Sequence, residues 1–150
     1  MEKTQDIQKH IRDLFASQNL AVLATHSHEQ PYASLVAFVA TEDLKHIYFA
    51  TAKTTRKFAN LTANARVALL INSSTNRVAD FHEAIAVTAV GRAQEVSDAG
   101  RDRLLALYLA KHPYLADFAR SPTCALVRVT VKSYYLVRNF QNVLEFHIAK

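Results

Sequence analysis

The sequence predicts a mainly β fold with some α: an antiparallel barrel of six or seven strands, flanked by two or three helices, in one domain spanning residues 1–150. Three features predict it. Short apolar runs of strand length, rich in Val, Ile, Phe, Tyr and Thr, recur along the chain. Most neighbouring runs are joined by short polar turns, which suit antiparallel pairs and are too short for parallel crossovers. A small antiparallel sheet removes its exposed edges by closing on itself.

The first segment places Ile7, Ile11, Leu14 and Phe15 at helical spacing, which predicts an amphipathic helix from about Thr4 to Ser17. Leu20 to Thr25 is apolar and strand-like, and His26 to Pro31 reads as turn material. Tyr32 to Ala40 is a second strand, apolar on both faces. Glu42-Asp43 turns the chain into a third strand, His46 to Thr51. Phe58, Leu61 and Thr62 then fall at helical spacing, with Thr54 or Thr55 as the cap of a short helix. Arg66 to Asn72 is a strand, Ser73 to His82 a polar loop, and Ala84 to Val96 a long strand with a bulge or close approach at Gly91. Ser97 is expected to cap a helix carrying Leu104, Leu107 and Tyr108 and ended by Pro113, with one more helical turn at Tyr114 to Phe118. Val127, Val129 and Val131 alternate with Arg128, Thr130 and Lys132 as in a half-exposed strand. Asn139 to Asn142 is a turn into a final strand, Val143 to Ile148.

The polar start of the chain has no apolar h-region, and no apolar run approaches the roughly 20 residues of a membrane span. A soluble, cytoplasmic protein is expected, without membrane or nucleic-acid partners. The single Cys124 rules out an intrachain disulfide, and beside Ala125-Leu126-Val127 it reads as a small buried hydrophobe. The net charge of +5 favours anionic partners. No acid lies between Asp43 and Asp80, so Lys53, Arg56, Lys57 and Arg66 make the middle of the chain locally cationic.

That cationic stretch carries the chemistry. A helix N-terminus offers unpaired backbone N–H groups and a partial positive charge. With Thr hydroxyls, Arg56 and Lys57 added, it suits a phosphate. A capped helix with solvated basic side chains is the alternative. Basic residues in a first turn oppose the helix dipole, however, and an anion resolves that conflict.

Several ordered pieces resemble a pattern of the pyridoxamine-phosphate-oxidase-like family. These are Phe49-Ala50-Thr51, Thr55-Arg56-Lys57, Asn60-Leu61, Asn64-Ala65-Arg66-Val67 and Leu69-Leu70. Gln30 to Val36 resembles the family's second strand, and Val87 to Ala93 its long strand with a Gly-Arg/Lys-Ala signature. The resemblance implies a six-stranded split β-barrel that binds flavin mononucleotide (FMN) in a groove between two subunits of a homodimer. It implies that Thr51, Thr55, Arg56 and Lys57 hold the phosphate and ribityl end, and that the backbone of Ser34, Leu35 and Val36 faces the ring. It also implies flavin redox chemistry, with a nicotinamide as electron donor, and no catalytic acid or base can be named. Heme and deazaflavin are the alternative cofactors, and a non-catalytic binding or stress-response role is the alternative function. The oxidase that makes pyridoxal phosphate carries Arg and Lys where this chain has Ser34 and Val39, and Gln where it has Ala86. It also carries a C-terminal Trp, and this chain has none. These departures argue against pyridoxamine-phosphate oxidation.

No metal site is expected. His26 and His28 lack a completing cluster and read as a solvated turn. His46, His82, His112 and His147 are scattered. Tyr114, Tyr134 and Tyr135 read as core and interface residues, and no nucleotide loop or nucleophile elbow is present.

Overall fold

A computed structural model describes residues 3–97, 99–139 and 142–148. The strands are β1 (Leu20–Ser27), β2 (Gln30–Ala40), β3 (His46–Ala52), β4 (Arg66–Asn72), β5 (Ile85–Glu95), β6 (Cys124–Arg138) and β7 (Asn142–His147). They pair antiparallel in the order β3-β2-β1-β4-β5-β6-β7, and a β3–β6 pairing closes the first six into a barrel. β7 lies outside the closure, on β6. The protein is thus the expected six-stranded antiparallel split barrel with an added strand. The turn into β7 includes Phe140 and Gln141, which lie outside the described residues.

Alternation builds the interior. Leu23, Val36, Phe38, Phe49, Leu69, Val87, Val127 and Val129 point inward and are buried in one cluster. Helix α1 (Thr4–Ser17) matches its sequence-predicted bounds and adds Ile7, Ile11, Leu14 and Phe15 to that cluster. The Phe15 ring meets Phe38 edge-on at 5.5 Å. Tyr134 is fully buried, and its hydroxyl donates to the Leu44 carbonyl at 2.7 Å. Tyr114, by contrast, is exposed and lies outside the core.

A second cluster covers the outer face of β3 and β6. Helix α4 (Arg101–Lys111), a 3₁₀ turn (Pro113–Leu115) and helix α5 (Ala116–Arg120) form the layer. Leu104, Leu105, Tyr108 and Leu109 pack there on Tyr48, Ala50, Cys124 and Leu126. Cys124 is buried, as expected, and burial pushes its thiol pKa up.

Three local expectations are corrected. The turn expected over His26–Pro31 is only His28-Glu29, both at positive φ (49° and 67°), so the strands run into a two-residue hairpin of the kind that fits strand twist. Pro31 fits inside β2 because β2 pairs with β3 only over Phe38, Val39 and Ala40, which leaves its first part an edge. Ser97 does not cap α4: the N-cap is Gly100, with no side-chain cap bond, and the helix starts at Arg101. The loop after β4 contains a short helix, α3 (Asp80–Glu83). The Asp80 carboxylate accepts from the backbone N–H groups of Thr75, Asn76 and Arg77, a local closure invisible to hydrophobic periodicity.

Candidate functional site

The short β2–β3 pairing creates the site. Beyond Phe38, towards Gln30, β2 has no ladder partner on its β3 side. The gap is bounded by the end of β3 and the start of helix α2 (Arg56–Ala63). A groove of about 410 Å³ runs through it, lined among others by Leu35, Val36, Thr51, Thr55, Lys57 and Tyr108.

Thr55 is the N-cap of α2, as one of the two expected alternatives. Its Oγ1 accepts from the Phe58 N–H at 3.3 Å and donates to the Ala52 carbonyl at 2.9 Å. Thr51 is buried, and its Oγ1 lies 3.0 Å from that of Thr55. The backbone N–H groups of Arg56 and Lys57 have no acceptor among the described residues, as the first turn of a helix leaves them. The adjacent Thr51 and Thr55 hydroxyls and Lys57, with its open backbone N–H, therefore border the groove together. That donor set fits a phosphate.

Of the seven sequence-predicted residues, Leu35, Val36, Thr51, Thr55 and Lys57 line this one groove. Arg56 does not line it; its guanidinium lies 5.7 Å from the centroid of the Tyr32 ring. Ser34 precedes Leu35 on the open edge, and its Oγ is buried without a hydrogen-bond partner. Ser34 is therefore not part of the groove lining; it shares the inward face of β2 with Val36 and Phe38.

Sequence reasoning missed two features. Lys53 is not part of the open cationic set, because Glu95 of β5 reaches it at 3.5 Å. No local pattern shows that pairing, since the two residues are distant in sequence. Tyr108, Leu115 and Phe118 from the α4–α5 layer form the apolar wall of the groove. The Tyr108 hydroxyl donates to the Ala37 carbonyl at 3.1 Å, and burial pushes its pKa up to about 12, so it stays neutral at physiological pH. The groove lining contains no carboxylate, imidazole or thiol.

A closed antiparallel barrel, split between β2 and β3, with a capped helix start and paired hydroxyls at the gap, defines a split β-barrel. The family model for pyridoxamine 5'-phosphate oxidase matches residues 7–138, and the chain belongs to that family. Among curated proteins there is no significant match. Solved structures share the fold at low identity. A heme binding protein from Mycobacterium smegmatis superposes with a TM-score of 0.83 at 16% identity, covering 98% of this chain and 59% of its own. This chain therefore spans well under two thirds of the mycobacterial protein. A Clostridium acetobutylicum protein related to general stress protein 26 gives a TM-score of 0.75 at 16% identity, covering 98% of this chain and 97% of its own. A FAD-binding protein from Mesorhizobium loti gives 0.68 at 14% identity, covering 85% and 91%.

Proposed function

We propose that this protein is an FMN-binding homodimer that carries out flavin redox chemistry on a small substrate, with a nicotinamide as electron donor. One observation carries the reading: Thr51, Thr55 and Lys57, with its open backbone N–H, border the groove that Leu35 and Val36 line. The residues fit the group. Thr51, Thr55 and Lys57 hold the phosphate, Arg56 swings in from Tyr32, and the open edge of β2 at Ser34, Leu35 and Val36 receives the ring. The bound flavin supplies the redox chemistry, and the chain positions it and excludes water from one side.

The lining has no carboxylate, imidazole or thiol, which favours a second reading: a protein that stores or senses a flavin, deazaflavin or heme without turnover. Family neighbours named for heme and FAD binding support a cofactor of this kind. The reading places the protein in the cytoplasm with small-molecule partners, not nucleic acid or membrane. No helix among the described residues is long and apolar enough to cross a membrane.

Titration of the purified protein tests the reading. FMN should bind on the order of 100-fold more tightly than riboflavin, since only FMN engages the phosphate donors. Equal affinities contradict it. The absorption spectrum of the loaded protein separates flavin, deazaflavin and heme. Oxidation of a reduced nicotinamide in the presence of an acceptor separates enzyme from binding protein.

A further inference from the structure

A cavity of about 290 Å³ lies where the C-terminal halves of α1 and α4 meet the β2–β3 turn. Residues of α1, β2, that turn and α4 line it, and none of β1, β4, β5 or β6 does. It shares no lining residue with the β2–β3 groove. Phe15, Ala16, Val39 and Leu44 make its walls apolar, while Arg12, Glu42 and Lys111 bring charge to it.

Lys111 is the last residue of α4 and is half-buried. Its Nζ donates to the Phe15 carbonyl at 2.8 Å and lies 4.0 Å from the centroid of the Phe38 ring. The Phe15 carbonyl belongs to the last turn of α1, which leaves its acceptors open and has no basic residue of its own there. One N–H suffices for that capping contact. Lys111 has no ion pair among the described residues: Glu42 is exposed at the cavity and makes none with it, and the neighbouring His112 turns to the Phe38 carbonyl. An amine drawn among apolar groups without an acid to pair with holds its proton weakly, and burial lowers the Lys111 pKa to about 8. The neutral amine keeps an N–H for Phe15 and gains a lone pair. Arg12, on α1, reaches the same cavity and also has no ion pair or side-chain hydrogen bond among the described residues. A desolvated amine and an unpaired guanidinium in one small cavity match a ligand with a carbonyl carbon and a carboxylate.

We infer that Lys111 is a nucleophilic amine that condenses with a small 2-oxo acid in this cavity, with Arg12 holding the acid's carboxylate. The nitrogen lone pair attacks the carbonyl carbon, and one amine proton passes to the carbonyl oxygen. The C–O bond then breaks, and the hydroxyl leaves as water with the second amine proton. An imine between Lys111 and the acid remains. No electron is gained or lost, so no oxidant or reductant is needed. The site does not depend on flavin binding, so it stands or falls separately from the proposed function.

Glyoxylate is the probe, with propanal as its uncharged counterpart. The full-length protein is treated with each in the presence of cyanoborohydride, which reduces an imine to a stable secondary amine. Mass analysis of peptides then locates the modified lysines, with the exposed Lys45 and Lys132 as internal references. Glyoxylate should modify Lys111 roughly 10-fold faster than either reference, at a rate that levels off as its concentration rises. Propanal should favour Lys111 over the references roughly 10-fold less than glyoxylate does, and without levelling off. Arg12→Gln should reduce the glyoxylate preference to that of propanal and leave propanal unchanged. Lys111→Arg keeps a donor for Phe15 and a cation over Phe38, so it should melt with the parent and leave only the slow modification of the exposed lysines. Modification spread evenly over the lysines, or absent from Lys111, overturns the inference. So does equal preference for glyoxylate and propanal, or the parent's glyoxylate preference in a folded Arg12→Gln protein.

Discussion

At Gly91 the reason for a single residue type is a distance. A Cβ would meet the Thr130 carbonyl oxygen at 2.2 Å, and the neighbouring atoms are backbone, which cannot swing aside. A Gly inside a strand pattern already suggests a bulge or close approach from sequence, and the structure supplies both. Gly91→Ala should therefore cost about 2–3 kcal/mol by forcing β5 and β6 apart. Denaturant unfolding measures this, and a variant as stable as the parent would mean that the strands separate without strain. The Thr51–Thr55 contact was legible in a different way. The cap at Thr55 follows from helix-start chemistry, whereas the 3.0 Å approach of Thr51 needs the strand end and the cap brought together in space. The Lys53–Glu95 pair was not legible, because it joins residues on non-neighbouring segments.

Among the elements, strong periodicity was read best. Helix α1 and strands β3 and β4 lie where the apolar pattern places them, because burial on one face fixes both period and extent. Punctuation was read worst. Gln30-Pro31 looks like a breaker, yet Pro31 lies in β2 because that stretch has no β3 ladder to supply with an N–H. The true hairpin turn is His28-Glu29, with both residues in a left-handed conformation that neither prefers. Glu29→Gly, at φ 67°, should relieve that conformation and raise stability by about 0.5–1 kcal/mol. Thermal melting checks it, and a lowered melting temperature would show that the Glu29 side chain contributes more than its backbone costs. The open edge of β2 that this hairpin leads into is also the wall of the groove, so the element misread from sequence is one that makes the site.

At the scale of the whole molecule, the outer face of the barrel carries a row of apolar side chains. Leu35, Val22 and Leu70 are register partners across β2, β1 and β4, and all three lie on the outside of the barrel. Leu35 is 61% exposed and Leu70 38%. From sequence, β2 reads as apolar on both faces, and in the structure the barrel interior takes Val36 and Phe38 while Leu35 lies on the outside, at the groove. A second copy of the chain suits this row, with an interface above roughly 2,000 Å². Light scattering should return twice the 16.8 kDa chain mass, and Leu70→Glu should return the single-chain mass with the fold intact. A monomeric parent at micromolar concentration contradicts the dimer and the shared groove together.

The Arg56→Ala/Lys57→Ala protein tests most directly whether the start of α2 holds a phosphate. Both residues lie in the first turn of α2, where their charge opposes the helix dipole and where Thr51 and Thr55 already present hydroxyls. Affinities of parent and variant for FMN and riboflavin are measured side by side, with circular dichroism to establish that both are folded. FMN affinity should fall on the order of 100-fold or more, with riboflavin affinity nearly unchanged. A folded variant that binds FMN as tightly as the parent would contradict a phosphate site there, and Arg56 and Lys57 would then be solvated charges on a capped helix.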